Sequence, residues 1–221
     1  MDYYANTLHG MQFLLQQCGK DRYANIIGQL LADYTKNNAV DGLAFALSPG
    51  GSMSGLSFDA ADFHSEQQLM WIRQLFEALK AMAVQLALFI LHRHTVDIDF
   101  IRKHFGRFTE VIHASYCSDC HKHYVTSADI DEYISPEIIS QKIVDGLEHG
   151  NLNENIAAIV EMTAPEIERR RRSVRRRLSN SQVAIVDHSA SSVCLLCGSN
   201  HIKSCRLLKS LKKNIFIPLN Q

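Results

Sequence analysis

The residues best suited to chemistry in this 221-residue chain are its cysteines. Four of the six fall into two Cys-x-x-Cys pairs, Cys117-Ser118-Asp119-Cys120 and Cys194-Leu195-Leu196-Cys197. Two thiolates at this spacing grip one metal ion from a tight turn, and two such turns complete the tetrahedral thiolate shell of a zinc ribbon. A small residue after the second cysteine lets backbone N–H groups approach sulfur, and Gly198 suits that place better than His121. The implied role is structural, with one Zn2+ per chain, because no open coordination position or nearby general base is indicated. A local assignment competes. Cys194, Cys197, His201 and Cys205 approach a Cys-Cys-His-Cys knuckle, and His121 or His123 would then complete a second site with Cys117 and Cys120. Neither pair stands in the strand-to-helix setting of a redox dithiol. Cys18 lies on an apolar helix face and reads as core.

The second concentration of chemistry is the run Arg169-Arg170-Arg171-Arg172-Ser173-Val174-Arg175-Arg176-Arg177, seven arginines in nine residues. Arginine suits bidentate contacts to guanine or phosphate better than lysine does. On a helix the seven cannot share one face, so some would reach base edges while others straddle phosphates. The stretch before them, Ile156 to Ile167, has the apolar spacing and three-residue turn (Glu161-Met162-Thr163) of a helix-turn-helix, with Ala157 as the small residue at the crossing. Thr163 and Glu166 take the two reciprocal places of a capping box. The candidate DNA contacts are therefore Thr163, Glu166, Arg169, Arg170, Arg171, Arg172, Arg175, Arg176 and Arg177. A solvated charged helix, or a docking site for acidic proteins, is the plainer alternative.

The formal net charge is zero, from 23 bases and 23 acids. Residues 1–164 carry 20 acids and 11 bases, whereas residues 165–221 carry 3 acids and 12 bases. A neutral total thus hides an acidic body joined to a basic element, the pattern of a polyanion binder. Eleven histidines invite a catalytic reading, but no phosphate-binding glycine loop, nucleophile elbow or His-Glu-x-x-His is present. The expectation is that the chain is not an enzyme. The start, Met1-Asp2-Tyr3-Tyr4, has no basic and apolar leader. The apolar run Ala81–Leu91, broken by Gln85, is short for a bilayer. A cytoplasmic protein with no membrane partner is expected.

The elements that must position these residues are mainly α-helical. Apolar periodicity predicts helices around Leu8–Leu15 and Tyr23–Tyr34, and a long one after Ser65, whose side chain with Gln68 resembles a capping box. Between them Ser48-Pro49-Gly50-Gly51 opens a flexible loop to about Asp59. A further helix through Ile101, Phe105, Phe108, Val111 and Ile112 would lead directly into Cys117. Ser135-Pro136-Glu137 reads as a helix start, residues 152–160 as a short helix, and Val183–Val186 as a strand. The expected division is an acidic helical body at 1–114 that oligomerises or meets a partner. A small zinc-ribbon-like β module at 115–134 and 181–221 would follow, with a three-helix, arginine-rich helix-turn-helix unit inserted at 135–180.

The order of these features resembles the C subunit of the flagellar master transcriptional activator (FlhC) and its relatives on conjugative elements. The resemblance covers roughly residues 5–130 and, more loosely, 193–198. It rests on the helical start, the loop Ser48-Pro49-Gly50-Gly51-Ser52-Met53-Ser54-Gly55 and the stretch Phe58 to Glu66. The long helix and Cys117-x2-Cys120-x3-Tyr124-Val125-Thr126 complete it. In that family the cysteine pairs are close in sequence; here an arginine-rich unit separates them. The resemblance implies a helical body, a four-cysteine zinc cluster of Cys117, Cys120, Cys194 and Cys197, and double-stranded DNA binding as a hetero-oligomer with a D-type partner subunit. It also implies recruitment of RNA polymerase. The expected function is a sequence-specific DNA-binding transcriptional regulator, an activator by that resemblance. A zinc-containing RNA-binding or polymerase-associated antitermination factor and a protein-interaction adaptor are the alternatives.

Overall fold

Helix formation begins where Asp2 accepts the Ala5 N–H at 3.0 Å, a side-chain cap that satisfies an orphan donor of the first turn. The computed structural model describes residues 2–59, 63, 65–105, 111–162, 164–187, 192–210 and 213–219, without the side chains of Gln67 and Ala164. The chain divides into two units, Met1–Gly106 with Ile139–Glu161, and Arg107–Ile138 with Met162–Gln221. The segment 135–180, read as one inserted unit, is thereby shared between them.

The first unit is helical. It contains α1 (Tyr3–Gln17), α2 (Asp21–Asn37), α3 (Asp41–Leu47), α4 (Glu66–Leu91) and α5 (Ile98–Phe105). The later part of α6 (Ser127–His149) and all of α7 (Leu152–Val160) complete it. The Ser65 side chain caps α4 by accepting the Gln68 N–H at 3.1 Å. The Gln68 side chain does not reciprocate; its amide reaches the Val160 carbonyl at 3.5 Å. The wide apolar face of α4 forms core through Ile72, Leu75, Leu79 and Leu86, against Leu8, Met11, Leu14 and Leu15 of α1. By length and composition alone, Gln68–Leu91 would suffice to cross a membrane, although 39% of that window is buried inside the protein. The loop after α3 has neither helix nor strand but is anchored: Met53 and Phe58 are buried, and Arg73 donates to the Phe58 carbonyl at 2.5 Å.

The short helix expected at 152–160 is α7, and its neighbours are α1 and α4. Leu152, Ile156 and Ile159 are its buried residues. Gly10 of α1 makes the close approach possible, because a Cβ there would lie 2.8 Å from a Leu152 methyl and 2.9 Å from an Ile156 methyl. The apolar side of α7 thus belongs to the first unit's core.

The second unit is built on a five-stranded sheet of order β3-β2-β1-β4-β5. Its strands are β1 (Val111–Cys117), β2 (Lys122–Thr126), β3 (Ala184–Val186), β4 (Ile202–Ser210) and β5 (Ile215–Pro218). The pair β2–β3 is parallel and the other pairs are antiparallel. The helix α8 (Ala164–Asn180) packs on β3 and β5, with Ile167, Val174 and Leu178 buried.

Two expectations are corrected here. Val111 and Ile112 do not continue a helix into Cys117; α5 ends at Phe105 and they begin β1. Phe108 lies outside the described residues. Across β1 the register alternates buried Ile112 and Ala114 with exposed His113, the period of a half-covered strand. Nor does a helix begin at Ser135-Pro136. Helix α6 starts at Ser127 with Pro136 inside it, and the cap is Thr126. The Thr126 N–H donates to the Asp129 carboxylate at 2.7 Å and the Asp129 N–H returns to the Thr126 hydroxyl at 3.1 Å. This reciprocal pair fixes the first turn, and one lost backbone bond at Pro136 does not break a helix otherwise packed through Ile130, Ile134, Ile138 and Ile139.

Ile156 is fully buried, so Ile156→Ala should cost about 2–5 kcal/mol. Trp71, the chain's single tryptophan, is buried in the first unit and supplies the probe. Its fluorescence transition in urea should move to lower denaturant in the variant. An unchanged midpoint would show that α7 is not part of that core.

Candidate metal centre and arginine helix

Each cysteine pair sits in a turn that bends back through the left-handed region. Cys117 ends β1, and the turn leads into β2 through His121 at φ 54°. Cys194 to Cys197 precede β4, and Gly198 follows at φ 78°. Glycine adopts that conformation freely, whereas histidine is strained there by roughly 1 kcal/mol. The Leu196 N–H approaches the Cys194 sulfur at 3.4 Å, and the Gly198 N–H bonds the Cys194 carbonyl at 2.8 Å. Both turns therefore have the knuckle form expected from their spacing.

The two knuckles meet. Cys117 Sγ lies 3.7 Å from Cys197 Sγ, and Cys120 Sγ lies 3.9 Å from Cys194 Sγ. All four sulfurs fall within 4.8 Å of one another and can hold a metal ion. A tetrahedral ion with metal–sulfur bonds of about 2.3 Å places its sulfurs about 3.8 Å apart. The geometry is thus compatible with zinc, and the separations are too long for disulfides. Among the described residues this is the one cluster of potential ligands. The competing ligands face elsewhere: His201 Nδ1 pairs with Asp119 Oδ1 at 3.1 Å, and His121 Nδ1 meets the Tyr116 hydroxyl at 3.1 Å. His123 packs its ring on Tyr116, and Cys205 is buried on β4 opposite Ala114.

Thiol electrostatics in the cluster are uneven. The Cys120 N–H, with that of Asp119, points at the Cys117 sulfur and draws its pKa down to about 6 against the effect of burial. At Cys197 the Ser199 N–H acts downward, yet burial and the other three sulfurs push the thiol up to about 12. Burial, then the Cys117 sulfur, raises Cys120. Without a cation the backbone N–H groups favour a thiolate at Cys117, while burial and neighbouring sulfurs oppose ionisation of Cys120 and Cys197. A bound divalent ion reverses that preference and expels the remaining protons.

A feature that spacing did not reveal ties the knuckles together. The Ser199 hydroxyl donates to Asp119 Oδ2 at 2.7 Å, while His201 bonds the other carboxylate oxygen. These hydrogen bonds, Ser199 first, hold the Asp119 carboxyl below the usual carboxylate range. The Ser118 N–H also bonds the His201 carbonyl at 3.0 Å. Only the polar character of positions inside and after the Cys-x-x-Cys pairs hinted at this clasp. The cysteine sulfurs pack over Tyr124, Ala184, Val186 and Ile202 of the sheet.

The arginines of α8 fall into two sets. Arg171 is held by Asp131 at 2.8 Å and Glu168 at 2.6 Å. Arg175 bonds Asp187 at 2.8 Å and the Ser127 hydroxyl at 2.9 Å. Arg177 bonds Asn214 at 2.9 Å and lies over the Phe216 ring. These three flank the buried side of the helix. Arg169, Arg172 and Arg176, spaced by three and four residues, share the opposite side. Arg172 and Arg176 are exposed, and among the described residues Arg170, Arg172 and Arg176 have no ion-pair partner. Arg169 meets Glu166 at 3.5 Å in an exposed pair, the kind worth little in water. Thr163 lies outside the described residues. Sequence spacing did not separate the two sets, because the anchoring carboxylates Asp131 and Asp187 are remote in the chain.

Comparison with protein-family models, with curated proteins and with solved structures found no match for this chain.

Metal analysis of the purified protein should give about one ion per chain, and Cys117→Ser with Cys194→Ser should abolish it. His201→Ala and Cys205→Ser should retain the ion. Asp119→Asn should weaken retention against a chelator by about tenfold, the lower range for a supporting hydrogen-bond partner. Loss of the ion in Cys205→Ser would refute the four-cysteine assignment.

Proposed function

We propose that the protein is a DNA-binding transcriptional regulator, with a structural zinc at Cys117, Cys120, Cys194 and Cys197 and a DNA-contacting surface on α8. The observation that carries this reading is the sorting of the arginines. Asp131, Glu168, Asp187, Ser127 and Asn214 engage Arg171, Arg175 and Arg177, while Arg169, Arg172 and Arg176 form an outward stripe. Of the stripe only Arg169 has a carboxylate partner, the weak exposed pair with Glu166, and a row of extended, always-charged side chains favours a polyanion.

Zinc in this reading has no catalytic step to perform. Four thiolates saturate it, so its contribution is to hold two distant chain segments on one sheet. The helix-turn-helix frame is not required. The apolar residues of α7 are buried in the first unit's core and those of α8 against the sheet, so α8 acts as a basic helix on a β platform. The resemblance to flagellar activator C subunits supports the remainder: a cytoplasmic activator that works in an oligomer, beside a D-type partner subunit and RNA polymerase.

Each phosphate contact on B-DNA contributes about 0.9 to the slope of log affinity against log salt. Replacing Arg169, Arg172 and Arg176 together by alanine should lower that slope for duplex DNA by about 2 to 3 units while bound zinc is retained. Binding confined to RNA would transfer the reading to an RNA-binding antitermination factor. A triple variant that binds every nucleic acid as the parent does would leave an adaptor for acidic proteins.

A further inference from the structure

One row at the knuckle end of the sheet takes no part in the centre or in α8. Tyr116 of β1 is the register partner of His123 on β2 and of Lys203 on β4, so three adjacent strands place these side chains side by side on one face. The Tyr116 and His123 rings lie 4.8 Å apart at an interplanar angle of 42°. The Tyr116 hydroxyl is held by His121 at 3.1 Å, which fixes the ring from its far edge. Lys203 and His121 are exposed, and Tyr116 and His123 are half-buried. The nearest acid along the chain, Asp119, is engaged by Ser199 and His201. What remains is a fixed aromatic surface with a flexible cation beside it, next to a cluster that anchors the strand ends.

We propose that the Lys203–Tyr116–His123 row is a stacking platform for an unpaired base of a single-stranded nucleic acid, with Lys203 on the adjoining phosphate. Every base has a π face, so an aromatic side chain flanked by cations binds single strands without reading their sequence. A paired base offers its edges and keeps its faces stacked, so duplex DNA engages such a platform only where it is opened. The site deepens the nucleic-acid reading of α8 and rests on it. Together they describe a protein that grips a duplex through an arginine stripe and holds an opened strand on the sheet.

The test uses the full metal-loaded chain and a single-stranded oligonucleotide carrying 2-aminopurine, whose fluorescence falls when the base stacks. We expect quenching on binding, about tenfold weaker affinity with loss of quenching in Tyr116→Leu, and retention of both in Tyr116→Phe. Equal metal content in all three proteins separates this from unfolding. Quenching unchanged in Tyr116→Leu overturns the platform, even if the Arg169, Arg172 and Arg176 variant loses duplex binding as expected. Quenching that depends on Tyr116 while that arginine variant binds duplex normally keeps the platform and overturns the role of α8. If neither single nor double strands bind, both readings fall.

Discussion

The second unit depends on bringing four sulfurs into one place. Two like charges about 4 Å apart repel by about 4 kcal/mol at the effective dielectric of a protein surface, and the cluster's thiol pKa values express that conflict. One sulfur is drawn toward ionisation by backbone N–H groups, and another is pushed toward its protonated form by burial and by its neighbouring sulfurs. A divalent cation removes the conflict at a stroke. The ligand pairs are separated by 73 residues, and closure entropy grows only with the logarithm of such a length. A bound ion would therefore join remote strands at moderate entropic cost, and the Asp119–Ser199–His201 clasp aligns the knuckles from the side. The strand order agrees with this closure. The knuckle at the end of β1 and the one before β4 share a site, and β1 and β4 pair along seven residues from Val111↔Leu208 to Cys117↔Ile202.

A helix with seven arginines poses the opposite electrostatic problem. Any arginine near a packed face must be matched by an anion or a good acceptor, because a buried unpaired charge costs several kcal/mol. The unit meets this locally with Asp131 on α6, Glu168 on α8 itself and Asp187 after β3. The same rule explains the nearly buried pair of Lys209 on β4 and Glu137 on α6, which also receives the Tyr133 hydroxyl. Side chains on the other side of α8 face water and need no such partner.

Legibility followed the range of the interactions. The cysteine pairs were readable because Cys-x-x-Cys encodes a turn and its ligands within four residues. The helices α1, α2, α4 and α7 were readable because their apolar periods are long or cleanly bounded. The strand β1 was not: Val111 and Ile112 follow Ile101 and Phe105 at intervals that also suit a helix, and only pairing with β4, ninety residues later, decides the matter. The start of α6 was hidden differently. Pro136 resembles a first helical residue, whereas the Thr126–Asp129 cap precedes it by ten positions. The spacing of Ile156 and Val160 suited a helix-helix crossing, but spacing does not name the partner surface. The complementary surface is α1, opened by Gly10. The clasp joins positions 80 and 82 residues apart, and the arginine anchors Asp131, Ser127, Asn214 and Asp187 lie 12 to 48 residues away, so helix spacing alone does not name them.

The zero net charge takes a different meaning once charges are assigned to units. By sequence the first unit has 14 acids and 9 bases, and the second has 9 acids and 14 bases. In the second unit the carboxylates of Asp131, Glu137, Glu168 and Asp187 are engaged by arginine or lysine, and Asp119 is tied into the clasp. These carboxylates are thus paired within the fold, while Arg172, Arg176, Lys203 and Lys213 remain exposed. Pairing leaves the unit's net charge unchanged, but it makes these exposed side chains the places where a partner meets positive charge. At physiological salt, charges more than about 8 Å apart are largely screened from one another. An exposed arginine stripe therefore acts chiefly through its immediate surface. Bulk neutrality then limits indiscriminate attraction at long range, while close-range affinity depends on shape and on which arginines are free.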